Sequence, residues 1–88
     1  VLRHEGNKKW YAVLMKISWD KLEKGREGQV EAVNLKHDQV ADLLSKKGIY
    51  PAFHMNKRYW ISAALDDTLS DEEVLELIER SWNLTIKK

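Results

Sequence analysis

PAFHMNKRYWIS, residues 51–62, is the stretch whose reading decides the fold. His54, Asn56, Lys57, Arg58, Tyr59 and Trp60 crowd into seven residues between two apolar runs. Polar, turn-prone residues flanked by apolar segments predict two antiparallel strands joined by a short loop that carries basic groups. Pro51 is expected to start the first strand, where a missing N–H does little harm. The second is expected over residues 59–65.

Toward the N-terminus, residues 2–5 and 10–17 read as two further strands around the turn Gly6-Asn7-Lys8. WYAVLMKI is too continuously apolar for a strand with one face in water, so both of its faces are expected to pack. Residues 18–28 are polar, contain two glycines and predict a helical turn followed by a loop. Residues 29–36 read as another strand. Asp38 is expected to cap a helix whose buried stripe is Val40, Leu43 and Leu44, with Lys46 and Lys47 at its C-terminal dipole and Gly48 at its end.

The C-terminal helix has the clearest local signature. Ser70 with Glu73 spells a capping box, and Leu69 with Val74 a hydrophobic staple. Val74, Leu77, Ile78 and Trp82 then recur at helical spacing, with Leu75 beside them. The expected architecture is α+β: an antiparallel sheet of about five strands with two main helices packed on one face. It forms one domain over residues 1–88, expected to be the C-terminal part of a longer protein because the chain starts at Val1 on what reads as a strand.

Composition narrows the function classes. In 88 residues, 43 % are hydrophobic and 33 % charged, which is globular rather than disordered. No apolar run approaches the roughly 20 residues that span a bilayer, and no signal-peptide pattern is present. The absence of cysteine excludes disulfides, thiol nucleophiles and thiolate metal sites, and fits a reducing, cytoplasmic setting. The formal charge of +1 conceals a division: residues 1–58 carry a net +5 and residues 59–88 a net −4.

Several segments resemble the MmcQ/YjbR family in the family's order: VLRHE with KKWYAVL, then VNLK, then PAFHMNKRYWIS, and an acidic helix ending in SWNL. HMNK followed, after two intervening residues, by Trp is the most specific of them. The resemblance implies an antiparallel sheet backed by helices, similar to the CyaY/frataxin fold, preceded by an N-terminal portion that this sequence lacks. It also implies a double-winged DNA-binding arrangement.

The residue types suit that task. Lys and Arg hold phosphates, while Asn and Arg can bond adenine and guanine edges. Asn56, Lys57 and Arg58 form one candidate wing, Lys8 and Lys9 beside Arg3 a second, and Lys36 adds a cation on the sheet. The competing explanation is that hairpin tips are Asn- and Lys-rich because they are solvated turns.

A second surface follows from strand alternation. With Tyr59, Ile61, Ala63 and Leu65 toward the helices, Trp60, Ser62 and Ala64 face away. By the same parity Trp10, Ala12 and Leu14 join Val30, Ala32, Asn34 and Lys36 there, with His54 nearby. Trp10, Asn34, His54, Trp60 and Ser62 then make a face for stacked bases, a partner protein or a small ligand. Another source for such a face is burial by the N-terminal part of the parent chain.

Enzyme and metal readings have less behind them. His4, His37 and His54 show no spacing that converges on a metal. The acidic residues 66–79 are explained by capping and dipole complementation rather than by a frataxin-like iron ridge. No serine has an evident base and acid partner, and no glycine-rich phosphate loop exists. The expectation is a non-enzymatic binding module without cofactor or metal. Its candidate partners are DNA, another protein or the N-terminal part of its own parent chain, and no membrane.

Overall fold

The computed structural model describes residues 1–86. Five strands form one antiparallel sheet: β1 (Leu2–Arg3), β2 (Trp10–Ser18), β3 (Gln29–Lys36), β4 (Ile49–Pro51) and β5 (Trp60–Ala64), in the spatial order β1-β2-β3-β5-β4. A 3₁₀ turn (Trp19–Lys21) follows β2, and β5 leads to the helix α2 (Asp71–Thr85).

The expectation of two main helices is corrected. Among the described residues only α2, with 15 residues, is a substantial helix; α1 (Val40–Leu43) is a single turn of four residues. Asp38 does not cap it. Gln39 holds the N-cap position without a side-chain cap bond, and the Asp38 carboxylate is drawn off to Arg80 of α2. Without that cap, and with Leu44 left exposed rather than buried, the segment gains too little from burial to propagate a second turn. Pro51 is likewise displaced from its expected place. It ends β4 instead of starting it, because Ile49, Tyr50 and Pro51 pair with Ala63, Ser62 and Ile61. The connection to β5 therefore spans residues 52–59.

α2 forms as its sequence dictates. The Ser70 hydroxyl accepts from the Glu73 N–H, and the Glu73 carboxylate accepts from the Ser70 N–H. Val74, Leu77 and Ile78 then pack against Ala12, Val33, Leu35, Ile49, Ile61 and Ala63 of the sheet, with Val40 and Leu69 completing the core. On the opposite face, Trp19, Val30 and Ala64 form a second cluster with Ile17, Leu22 and Tyr50.

The predicted alternation holds for β3 and β5 and is corrected for β2. Ala12 lies opposite Leu35 and Leu14 opposite Val33, so both belong to the helix side, not the outer one. The cause is a register shift between β1 and β2: Leu2 pairs with Ala12 and Arg3 with Trp10, passing over Tyr11. Tyr11 and Ala12 consequently both pack on the helix-side core, as at a β-bulge, and the parity of the strand reverses. Ser81 of α2 fills the gap in the ladder. Its hydroxyl accepts from the Lys36 N–H at 2.9 Å and donates to the Tyr11 carbonyl at 2.6 Å.

Candidate nucleic-acid interface

Antiparallel register decides which charged residues meet. β2 begins at Trp10, β3 ends at Lys36, β5 begins at Trp60 and β1 ends at Arg3, and all four termini lie at one end of the sheet. Arg3 is paired with Trp10, and Lys36 with Trp60. Lys8 and Lys9 immediately precede β2, and Lys57 and Arg58 lie just before β5, separated from it by Tyr59. With strands about 4.8 Å apart, six cations from distant parts of the sequence are collected along one sheet end. Glu5 lies in the same first turn. Asp38, the acid beyond β3, is held by Arg80 through two contacts of 2.8 Å. That guanidinium keeps the Asp38 carboxyl below its usual pKa, and the carboxylate raises that of Arg80.

The loops presenting these cations are built by short side chains. Asn56 uses its side-chain oxygen to accept the Arg58 N–H at 2.9 Å, while its carbonyl accepts the N–H groups of Tyr59 and Trp60. This Asx turn orders the segment carrying Lys57 and Arg58. At the first hairpin, Asn7 accepts the Lys9 N–H at 2.9 Å, and its amide donates to the Thr85 and Ile86 carbonyls at 2.9 and 3.1 Å. Asn7 thereby satisfies carbonyls at the C-terminus of α2 that have no intrahelical partner. Lys8, at φ 62°, donates its N–H to the His4 carbonyl.

Of the second predicted surface, the structure separates the members. Asn34 and Ser62 are fully buried and bonded to the β4–β5 loop: the Asn34 amide donates to the Phe53 carbonyl at 2.7 Å, the Phe53 N–H donates to the Ser62 hydroxyl at 3.0 Å, and that hydroxyl donates to the Asn34 side-chain oxygen. Trp10 is 44 % exposed, Trp60 is half-buried, and His54 is exposed at φ 58° with its ring 3.9 Å from that of Phe53. Tyr59, 49 % exposed, adds an aromatic surface at the same sheet end.

Sequence reasoning missed a cluster at the end of α2. His4 and Thr85 are buried, and His4 Nε2 lies 2.6 Å from the Thr85 hydroxyl. The His4 ring centroid is 4.9 Å from that of Tyr11 and 4.1 Å from that of Trp82. The spacing of Trp82 signalled a helix face but not its partners 71 and 78 positions earlier. Among the described residues, no group of three or more His, Cys, Asp or Glu side chains could hold a metal ion, and no helix is long and apolar enough to cross a membrane.

A small antiparallel sheet carrying one long helix, with cations gathered at the strand ends, defines an α+β domain. The chain belongs to the YjbR family, whose pattern matches residues 1–84. It is 40 % identical over 86 residues to Uncharacterized protein YyaQ of Bacillus subtilis, covering 96 % of this chain and 73 % of that protein. Uncharacterized protein YbdF of Escherichia coli O157:H7 is 38 % identical over 60 residues, and the match spans about half of it, 49 %. A crystal structure of a protein from Pseudomonas syringae superposes with a TM-score of 0.89 at 44 % identity, covering 94 % of this chain and 73 % of that one.

Proposed function

We propose that this domain is a non-catalytic module that contacts DNA through the basic end of its sheet. The observation that carries the reading is the strand register, which collects Arg3, Lys8, Lys9, Lys36, Lys57 and Arg58 from four segments of sequence. Phosphate contact needs this kind of array, and sequence position alone does not provide it. The polarity of the helix supports the same reading. The acidic first turn of α2 (Asp71, Glu72, Glu73) lies beside the α1–β4 turn through the Lys46–Glu73 ion pair, at the opposite end of β4 and β5 from Lys57 and Arg58. The repelling charge is therefore kept away from the cationic end.

Fluorescence anisotropy with labelled duplex at two salt concentrations tests the proposal. Log affinity is expected to fall by about 0.9 per phosphate contact per unit of log salt. The double variant Lys57→Glu/Arg58→Glu should lose at least two contacts from that slope and weaken binding more than tenfold. Unchanged affinity in this variant would exclude the loop as a contact. A partner-protein or small-ligand reading rests on Trp10, Trp60 and His54, because Asn34 and Ser62 are engaged in holding the loop. It predicts insensitivity to the charge reversals and loss of binding in Trp60→Ala.

A further inference from the structure

At the same basic end, between the first hairpin and the C-terminus of α2, lies a recess of ≈ 550 Å³ lined by Arg3, His4, Asn7, Tyr11, Trp82 and Ile86 among others. That is within the range of small-molecule sites. Its walls are aromatic: the Tyr11 and Trp82 rings stand edge to face with centroids 4.9 Å apart, and Trp82 keeps 38 % of its surface exposed. One polar group in the wall is left over. With the Thr85 hydroxyl proton directed at the Ser81 carbonyl, 2.7 Å away, the 2.6 Å contact with His4 is made by the Nε2–H of the imidazole. Nδ1 is then an acceptor. It is buried, in a residue only 4 % exposed, and has no hydrogen-bond partner among the described residues. An unsatisfied buried acceptor calls for an explanation, and a ligand that donates to it is one.

We infer that this recess takes an unpaired nucleobase. The inference deepens the DNA-binding reading and rests on it for the strand to which the base belongs. A planar heteroaromatic ring with N–H donors matches the aromatic walls and the free acceptor, and Arg3 at the rim stands where the base's own phosphate would lie. Duplex DNA alone cannot fill the recess, because its bases are stacked and paired. The preferred substrate is therefore DNA with an unpaired terminal or single-stranded base.

The test uses the 88-residue chain with three probes: a blunt duplex, the same duplex with a one-base overhang, and adenosine monophosphate. Anisotropy should show the overhang binding about five- to a hundredfold tighter than the blunt duplex. Trp82→Ala should abolish that preference. Because Trp82 also packs against the fold, the wild-type chain supplies a second readout: adenosine monophosphate should shift the indole N–H resonance of Trp82 more than those of Trp10, Trp19 and Trp60. Shifts at Trp82 without any DNA binding would uphold the base site, assign it to free nucleotides and sink the DNA reading. Equal affinity for both duplexes with no shift at Trp82 would overturn the base site and leave the DNA reading standing. No binding of any probe would overturn both.

Discussion

Asn34, Ser62 and Phe53 show how a residue's role can differ from its appearance in the sequence. Two small polar residues on alternating strands suggest a ligand face, but here they meet across β3 and β5 and hold a loop backbone. Ser62→Ala would leave the Phe53 N–H and the Asn34 side-chain oxygen without their partner inside the protein. It is expected to cost about 1–3 kcal/mol, read from the urea midpoint, and to loosen the segment carrying Lys57 and Arg58. His37 belongs to the same scale. Its Nδ1 accepts the Gln39 N–H, and burial, assisted by Arg80 and opposed by Asp38, lowers its pKa below the usual 6.5. The unfolded chain then binds more protons below pH 6.5, so stability should decline as pH falls from that value. His37→Asn retains an acceptor without the titration. Unfolding midpoints for this variant should change less between pH 7 and pH 5 than for wild type. Parallel pH profiles would exclude the residue as a source of the dependence.

At the scale of elements, the capping box of α2 was legible letter by letter because every atom in it comes from four consecutive residues. Ser70→Ala should cost about 0.5–2 kcal/mol in thermal or urea unfolding. Glu73 couples the cap to the rest of the protein. The Lys46 ammonium, 2.5 Å away, and the Ser70 N–H hold its pKa at about 2, against 4.5 for the free group. Its contribution is therefore present above pH 4.5 and is lost as pH falls from there toward 2. The short α1 was less legible. Asp38 has the identity of a cap and precedes a plausible apolar stripe, yet the stronger bidentate partner lies 42 positions away on α2. Local propensity lost to a contact that only the assembled fold provides.

At the scale of the whole molecule, the gathering of cations at one end of the sheet makes a prediction that no single residue makes. Lys24 lies in the loop between the 3₁₀ turn and β3, at the end of the sheet away from the cationic array. Lys24→Glu changes net charge by the same sign as each reversal in the 57–58 loop. At 0.1 M salt, where screening acts over about 10 Å, it should leave duplex affinity within about twofold of wild type. A loss as large as that from Lys57→Glu would mean that net charge, not the sheet end, governs binding.

The sequence by itself determined the antiparallel α+β class, the five strands to within a few residues, the exact start of α2 and the membership signalled by HMNK and the following Trp. These depend on neighbours within a few positions: alternation, helical spacing and caps. Only the tertiary structure decided which face β2 buries, because one passed-over residue, Tyr11, inverts the parity of everything after it. Only the register collected six cations at one end, and only packing brought His4 to Thr85 across 81 positions. Pairings at that separation are selected by the whole core at once, when α2 settles on the sheet, and no local stretch of sequence carries their energy.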